Sequence, residues 1–258
     1  MVKHKELRVI ITGASGGIGR ALAIEYGRRG ADVLLLARNE EQLYISKQLL
    51  ESNGGKGFVR ICDVSVKEDM NSAVDFAVNT LDGIDIAILN AGISGSQNID
   101  GMDPVRFRQI FETNFFGIVN GITSVLPVMK KQGYGKIAGI GSLADFRGVP
   151  GVSAYNSSKA AMSNFLESAR NELKQFGITV ITVKPGFVKS GITEKNEFYM
   201  PMLMDADKAA KIIADGIEKN KPLIKFPLPV VIAAFIGKIV PASIYDWFFR
   251  HFRVNKKQ

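Results

Sequence analysis

One glycine-rich turn near the start of the chain constrains the fold more than any other stretch. The strand-like run 7–11 leads directly into Thr12-Gly13-Ala14-Ser15-Gly16-Gly17-Ile18-Gly19, and the helix-favouring segment 20–26 follows it. A strand, a glycine-rich turn and a helix in this order direct backbone N–H groups and the positive end of the helix toward an anion. The stretch therefore predicts a phosphate-binding loop, and the pyrophosphate of a dinucleotide is the ligand that fits it.

The spacing of this turn leaves a second interpretation open. The usual dinucleotide fingerprint is G-x-G-x-x-G, whereas Ser15 stands in the place of its second glycine. A turn between a strand and a helix also needs glycine for positive φ and close packing, without any ligand. Nucleotide binding is the interpretation that the rest of the chain has to support.

Short apolar runs alternate with helix-length segments as far as residue 226. Predicted strands cover residues 7–11, 32–37, 58–62, 84–89, 136–142, 178–183 and 223–226. Strands and helices that alternate in this way form a parallel sheet with right-handed crossovers. We predict an α/β fold, a Rossmann doubly wound parallel sheet of about seven strands flanked by helices, as one domain over residues 1–226. Residues 227–258 are predicted to be an apolar and basic helical extension.

Polar residues mark the predicted helix starts. Asn39, followed by Gln42, predicts an N-cap with a capping box, and Ser65 is predicted to cap the next helix. A third helix is predicted from Asp103 to Lys131 with Asn114 in its middle. Asparagine is unfavourable there by propensity, so on its own it predicts only a solvated or core-bonded side chain.

Composition and charge limit the partners and the compartment. The chain has 33 Lys and Arg against 25 Asp and Glu, a formal net charge of +8, but four cations cluster in residues 250–257. We therefore predict an anionic cofactor or a membrane surface, and no nucleic acid. The single cysteine, Cys62, lies in an apolar run, and no apolar signal segment precedes the first strand, so a buried thiol and a cytoplasmic location are expected. The two histidines lie near opposite ends, and no metal site is predicted.

The end of the second predicted strand bears on the choice of cofactor. An acidic residue there would bind the ribose 2′-hydroxyl of NAD, whereas this chain has Ala37 and Arg38. Arginine offers a fork of donors to a 2′-phosphate. We predict NADP(H) in preference to NAD(H); a solvated arginine at a strand end is the alternative.

A serine, a tyrosine and a lysine supply the predicted chemistry. Ser142 ends the fifth predicted strand, at the edge where open parallel sheets bind ligands. Tyr155 and Lys159 are four residues apart in a predicted helix and share one face. A phenol has a pKa of about 10, and a nearby ammonium favours its anion. Lys159 is therefore predicted to lower the pKa of Tyr155, which exchanges a proton with a substrate oxygen held by Ser142.

These segments together resemble the short-chain dehydrogenase/reductase family. The resemblance rests on Thr12-Gly13-x-x-x-Gly17-Ile18-Gly19, on Asn90-Ala91-Gly92 after the fourth strand, and on Ser142 thirteen residues before Tyr155-x-x-x-Lys159. It extends over residues 6–226, with the motifs in the family's order and spacing. One departure is Gly141, where many members carry a second serine.

The resemblance implies roles for the site residues and a homo-oligomeric state. The implied catalytic residues are Asn114 (as proton relay), Ser142, Tyr155 and Lys159. The implied cofactor-binding residues are Gly13, Ser15, Gly17, Ile18, Gly19, Arg38, Asp63, Val64, Asn90, Ala91, Gly92, Tyr155, Lys159, Pro185, Gly186, Val188 and Ser190. Within this set Asp63 and Val64 are implied to face the adenine, and the 185–190 segment the nicotinamide, with Ser190 replacing a threonine.

Two later segments are less diagnostic. Residues 191–203 resemble a loop over the active site, in which Phe198, Tyr199, Met200 and Met202 either contact an apolar substrate or pack the loop down. The apolar run after residue 227 is interrupted at Lys238 and Pro241, which predicts two short helices and no single membrane span.

The aromatic and basic residues of this tail leave two interpretations open. Aromatic side chains ahead of a basic terminus suit the plane of a membrane interface, here the inner face of the membrane. Packing over the substrate pocket or against a partner subunit is the alternative. The expected function is an NADP(H)-dependent oxidoreductase that interconverts a hydrophobic, lipid-like ketone or aldehyde and its alcohol; a non-catalytic NADP-binding sensor or membrane-docked scaffold is the rival.

Overall fold

The computed structural model describes residues 6–95, 98–191, 193 and 200–251. The strands within these residues are β1 (Arg8–Thr12), β2 (Asp32–Ala37), β3 (Lys56–Ile61), β4 (Ile86–Leu89), β5 (Gly135–Ile140), β6 (Ile178–Pro185) and β7 (Leu223–Phe226). The α-helices are α1 (Gly17–Arg28), α2 (Glu40–Glu51), α3 (Lys67–Leu81), α4 (Pro104–Phe111), α5 (Gly117–Gln132), α6 (Ser153–Leu173), α7 (Ala206–Glu218), α8 (Leu228–Ile239) and α9 (Ala242–His251).

The strands form one parallel sheet in the order β3-β2-β1-β4-β5-β6-β7. This confirms the predicted doubly wound fold. The order reverses between β1 and β4, because the chain first builds outward from β1 to β3 and then returns to the other side of β1. A crevice opens at the carboxyl ends of the strands at such a reversal, and ligands of open α/β sheets bind there.

Helices cover both faces of the sheet, so its central strands are apolar on both sides. In β1, Val9 and Ile11 pack with α1 and α7, whereas Ile10 points to the opposite face and packs with α3, α5 and α6. All three side chains are fully buried. This two-sided burial explains why the strands read as continuous apolar runs and not as an alternating pattern.

The helix starts follow one predicted cap and contradict the other. The side chain of Asn39 accepts a hydrogen bond from the backbone N–H of Gln42 at 3.0 Å, which confirms the first cap. The Ser65 cap is wrong, because α3 begins at Lys67 with Val66 as its N-cap. The Ser65 hydroxyl and N–H both donate to the Asp63 carboxylate, at 2.7 and 3.0 Å, so Ser65 belongs to the turn before α3 and not to its first turn.

The predicted helix from Asp103 to Lys131 is divided by one turn of different geometry. A π-helical turn, Glu112–Phe116, joins α4 to α5 and contains Asn114. π-Turns in helices are rare and occur frequently at functional sites.

A buried ion pair fixes the entry into β1. The Arg8 guanidinium donates to both carboxylate oxygens of Asp85, at 3.0 and 2.6 Å, and the Arg8 N–H donates to the same carboxylate at 2.8 Å. Arg8 also donates to the hydroxyl of Tyr134 at 2.9 Å and to the carbonyl of Asp82. Hydrogen bonds from Arg8 hold the pKa of Asp85 below its ordinary value, although burial opposes this.

The chain after β7 forms two short helices, as predicted. The breaks lie at Val240 and Pro241, between α8 and α9. Among the described residues, no single helix has the length and apolar character needed to cross a membrane; α8 and α9 meet that test only as a pair, and they are bent by 118° at the break.

We expect Asp85→Asn to reduce the free energy of unfolding by about 3 kcal/mol, because it leaves the buried Arg8 without its charge partner. Urea unfolding at neutral pH measures this change, with Asp75→Asn on the exposed face of α3 as the matched control. The depressed pKa of Asp85 adds stability above its unfolded pKa, and that stability is lost as the pH falls through the folded value. Equal unfolding midpoints for the two variants would contradict the prediction.

Candidate active site

The ends of β1 and β4 are joined by side-chain hydrogen bonds at the sheet reversal. The Thr12 hydroxyl accepts from the N–H groups of Asn90 and Ala91, at 2.9 and 3.1 Å. The Asn90 amide donates to the carbonyls of Thr12 and Gly13, at 3.0 and 3.2 Å. The glycine-rich loop and the Asn90-Ala91-Gly92 turn are therefore one structural unit. No local signal in the sequence predicts that the Thr12 hydroxyl joins the two strand ends.

Two glycines of the loop cannot be replaced without disturbing this unit. A Cβ on Gly19 would lie 2.1 Å from the carbonyl oxygen of Gly13, which is far inside van der Waals contact. Gly17 has a φ of +52°, and a Cβ there would lie 2.8 Å from the Cβ of Ser190. Gly17 begins α1, and Gly16 before it has no side chain with which to cap the helix N–H groups. These donors are therefore available to an anion in the crevice.

A cleft of about 690 Å³ occupies the crevice at the sheet reversal. It brings together most of the predicted dinucleotide-binding residues: Gly13, Ser15, Gly17, Ile18, Arg38, Asp63, Val64, Asn90, Ala91, Gly92 and Ser190. Gly19 does not line the cleft, because it is packed beneath the loop against Gly13. The volume of the cleft is large enough for a dinucleotide, and the N–H groups at the start of α1 suit its phosphates.

The outer end of the cleft carries a charged pair. Arg38 follows β2 and lies 3.5 Å from the Asp63 carboxylate, and 67% of its side chain is exposed. Burial alone would raise the pKa of Asp63, but hydrogen bonds from Ser65 and the charge of Arg38 hold it below its ordinary value. Arg38 therefore stands at the cleft beside an ionised acid.

A second cavity, of about 90 Å³, continues the cleft inward and shares four lining residues with it: Ile18, Asn90, Gly92 and Ser190. The other predicted site residues at its walls are Ser142, Tyr155, Lys159, Pro185, Gly186 and Val188. Ser142 comes two residues after β5, and Tyr155 and Lys159 lie one turn apart on α6. The fold thus places the predicted proton-transfer groups at the inner end of the predicted cofactor cleft.

Lys159 is buried, with only 4% of the residue exposed. Its Nζ donates to the carbonyl of Ile140 at 2.8 Å and lies 5.8 Å from the centre of the Tyr155 ring. Burial lowers the pKa of Lys159 to about 8, and the negative charge of Asp145 opposes that change. Part of the Lys159 population is therefore neutral at mildly alkaline pH.

The pKa of Tyr155 is affected by burial and by two neighbouring side chains. Burial raises its pKa, a hydrogen bond with Ser142 opposes the rise, and Asp145 adds to it. Desolvation of the phenolate is the largest of these effects, and the lowering expected from Lys159 stays a prediction. The Tyr155 phenol therefore keeps its proton at neutral pH.

Asn114 lies behind this cavity and does not line it. It is fully buried, its side-chain oxygen accepts from the Ile93 N–H at 2.8 Å, and its amide donates to the Ile93 carbonyl and the Ser158 hydroxyl, at 3.0 and 3.1 Å. A Cβ on Gly92 would lie 3.3 Å from the Asn114 oxygen and 3.4 Å from Lys159 Nζ. The asparagine and the lysine are thus neighbours across Gly92.

The departure at Gly141 has a steric cause. A Cβ at this position would lie 2.9 Å from the Met162 methyl carbon and 3.0 Å from the Val183 carbonyl oxygen. The Gly141 N–H donates to that carbonyl at 2.7 Å, so the backbone is held against β6. A serine would require one of these neighbours to move.

A charged cluster near the site was missed by sequence analysis. Asp145 lies in the 3-10 turn Leu143–Phe146, directly after Ser142, and only 6% of its side chain is exposed. Its carboxylate is 2.6 Å from Lys184 Nζ and accepts from the Ser163 hydroxyl. Three separate elements meet at this carboxylate, and no local spacing in the sequence signals their contact.

The 185–190 segment closes the cavity and leads into the predicted substrate loop. The Thr193 hydroxyl accepts from the Ser190 N–H at 2.8 Å, and Met204 returns to pair with Val188. Met202 is half exposed, whereas Phe198 and Tyr199 lie outside the described residues. Contact between this loop and the substrate stays a prediction.

Comparisons with known proteins agree with this geometry. A family model for short chain dehydrogenases matches residues 7–198. An uncharacterized oxidoreductase of Myxococcus xanthus is 34% identical over 248 residues, covering 95% of this chain and 96% of that protein. The 11-beta-hydroxysteroid dehydrogenase-like protein 4A of Arabidopsis thaliana is 34% identical over 243 residues, covering 90% of this chain and 80% of its own length.

A solved structure shows the same fold. It is a short chain dehydrogenase/reductase from Burkholderia phymatum in complex with NAD, with a TM-score of 0.83 and 19% identity, covering 100% of this chain and 99% of that one. The family match and the similar relatives extend over most of the chain and include its phosphate loop and its tyrosine–lysine pair. The chain therefore belongs to the short-chain dehydrogenase/reductase family and is an oxidoreductase.

Proposed function

We propose that this protein interconverts a hydrophobic ketone or aldehyde and its alcohol with NADP(H). One observation carries the proposal: Ser142, Tyr155 and Lys159 line a cavity that opens from the inner end of the dinucleotide cleft. The nicotinamide cofactor, when bound, supplies a hydride in reduction and accepts one in oxidation.

The chain's own residues handle the substrate oxygen and its proton. In reduction, Ser142 donates a hydrogen bond to the carbonyl oxygen, and Tyr155 transfers its phenolic proton to that oxygen as the carbon gains the hydride. The carbonyl thereby becomes CH–OH. Lys159 stabilises the phenolate that remains, and Asn114 supports the return of a proton from solvent. The raised pKa of Tyr155 means that the phenol still holds its proton at neutral pH, when the reaction needs it.

NADP(H) is proposed as the cofactor because of the charges at the outer end of the cleft. Arg38 is the first residue after β2, in the position from which a side chain reaches the ribose 2′ group. Its guanidinium suits a phosphate in geometry and charge. The hydrophobic substrate class is supported by the similarity to a plant protein named for 11-beta-hydroxysteroid dehydrogenase and by the exposed apolar side chains of α8.

Tyr155→Phe tests the reaction. We expect turnover of NADPH with a steroid-type or long-chain ketone to fall by about 10²- to 10⁴-fold, because the proton donor is lost, while NADPH affinity stays within about twofold, since the phenyl ring is kept. Activity assays with the purified protein measure turnover, and fluorescence titration measures the binding of NADPH. Tyr44→Phe on the exposed surface of α2 is the control. Full activity in Tyr155→Phe would refute the assignment, and NADPH binding by the wild type without any turnover would favour the sensor.

Arg38→Gln tests the cofactor. We expect the dissociation constant for NADPH to rise about tenfold or more, because the 2′-phosphate loses a charge-assisted partner, and that for NADH to change little. Arg28→Gln, on α1 and half exposed, is the matched control. Tighter binding of NADH than of NADPH by the wild type would contradict the proposal.

Asp145→Asn tests the electrostatics of the site. The negative charge of Asp145 raises the pKa of both Tyr155 and Lys159, so its removal lowers both values. Lys184 then lacks its anionic partner, and its positive charge also lowers the two pKa values. We expect the alkaline limb of the pH profile for ketone reduction to move to lower pH, because Tyr155 loses its proton earlier.

The control for this change is Glu167→Gln, an exposed carboxylate on the same helix as Tyr155. Its pH profile is expected to match that of the wild type. An unchanged profile in Asp145→Asn, or a shift to higher pH, would show that the Asp145 charge does not act on the reacting groups.

A further inference from the structure

The outward face of α8 is apolar where a helix on a protein surface normally carries polar residues. Leu228, Ile232, Phe235, Ile236 and Ile239 follow one another at helical spacing and are between 51% and 69% exposed. Monomeric soluble proteins rarely expose contiguous apolar patches of this kind unless they bind something there. We propose that α8 and α9 form a surface that docks this protein on an anionic lipid bilayer.

The inner face of α8 explains why its large side chains point outward. Val230, Val231, Ala234 and Gly237 form the stripe that faces the protein. Gly237 lies so close to Phe146 that a Cβ would come within 2.6 Å of the aromatic ring. Small residues bring the helix axis close to the core, so the bulky side chains of α8 remain on the opposite side.

The following helix continues the apolar surface. In α9, Ile244, Trp247 and Phe248 lie three and four residues apart and are about half exposed, whereas Tyr245 and Phe249 are more buried. Tryptophan and tyrosine are enriched where protein meets the headgroup level of a bilayer. We call the outward residues of both helices the tail surface: Leu228, Ile232, Phe235, Ile236, Ile239, Ile244, Trp247 and Phe248.

The tail surface is held in a defined orientation by Arg147. Its guanidinium donates to the carbonyls of Gly237 and Val240 at the end of α8, at 3.0 and 2.7 Å. The same group lies 4.0 Å from the centre of the Tyr245 ring in α9, and the Tyr245 hydroxyl donates to the Gly148 carbonyl at 2.9 Å. The two helices are therefore tied to the segment that follows Ser142.

Charge distinguishes a lipid surface from a second copy of the chain. Residues 227–258 contain five Lys or Arg and one Asp, which is half of the formal net charge of +8 in 32 residues. Lys238 and Arg250 are exposed in α8 and α9, and the other three cations follow in the sequence outside the described residues. Two copies joined through this surface would bring like charges together, whereas anionic headgroups would neutralise them.

The bend between the helices fits a position in the plane of the membrane. The pair is bent by 118°, and neither helix alone is long enough to cross a bilayer. Helices that lie in this plane bury their apolar side chains at the boundary of headgroups and acyl chains.

The start of α8 adjoins the cavity that holds Ser142, Tyr155 and Lys159. The proposed function places the substrate oxygen there, and this part of the inference rests on that function. A Cβ on Gly186, which lines that cavity, would lie 3.1 Å from Pro227 and 3.5 Å from Val230. A docked protein would therefore present its substrate cavity close to the lipid, where a hydrophobic ketone accumulates.

Vesicle sedimentation of the full chain tests docking without any substrate or cofactor. Vesicles of phosphatidylcholine mixed equally with phosphatidylglycerol are compared with vesicles of phosphatidylcholine alone. We expect the wild type to partition at least about tenfold more strongly onto the anionic vesicles, with the difference reduced by salt. The double variant Ile232→Glu, Ile236→Glu is expected to lose about tenfold or more of this partitioning. The control is Ile99→Glu with Val105→Glu, two exposed apolar residues outside the tail, which is expected to bind as the wild type.

Three readouts keep the outcomes distinct. Thermal unfolding and NADPH titration confirm that each variant is folded, so loss of docking is separate from failure of the enzyme assignment. Lys238→Gln tests the charge and is expected to weaken anionic binding only. Equal partitioning of wild type and double variant would overturn the proposal. A second result would also overturn the proposal: the wild type does not bind vesicles, and light scattering shows that the wild type is a dimer and the double variant a monomer. The surface would then be a subunit interface.

Discussion

The hydrogen bonds between Thr12 and Asn90 hold together the two strand ends on which the site depends. β1 and β4 are adjacent in the sheet but far apart in the chain, so their ends are joined by the strand ladder and by these side-chain contacts. The contacts set the shape of the glycine-rich loop, and the close approach of Gly19 to Gly13 then directs α1 at the cleft. Gly92, in the same turn, lies beside both Asn114 and Lys159. The phosphate site and the proton-transfer site are thus parts of one hydrogen-bonded unit.

Buried charge is the second feature of this active site. An ammonium is costly to bury: burial lowers the pKa of Lys159 to about 8, and its Nζ donates to the Ile140 carbonyl. Asp145 and Lys184 form a nearby ion pair that ties the turn after Ser142 to α6 and β6. The same turn leads to Arg147, which holds the C-terminal helices. One short segment therefore holds the tail helices, follows Ser142 and places a charge near Tyr155.

Most of the fold follows from local signals. The apolar runs predict all seven strands to within about two residues of their bounds, because strands buried on both faces are apolar at nearly every position. The Asn39 cap was predictable since it involves residues three apart. The Ser65 cap is wrong because the helix begins later and the Ser65 hydroxyl donates to Asp63. The predicted effect of Lys159 on the pKa of Tyr155 stays a prediction, and desolvation of the phenol opposes it. The Asp145 cluster could not be predicted, since its members come from three elements that only the fold brings together.

The sequence by itself determined the parallel sheet, the position of the glycine loop and the identity of the tyrosine–lysine pair, because each depends on residues close together in the chain. Only the tertiary structure decided how far the cleft extends inward, which charges surround Tyr155, and which face of α8 is exposed. In the sequence α8 is apolar on nearly every side, so periodicity could not assign a buried face. The fit of Gly237 against Phe146 and the hydrogen bonds of Arg147 decide it, because close packing selects the small residues and leaves the large ones outside.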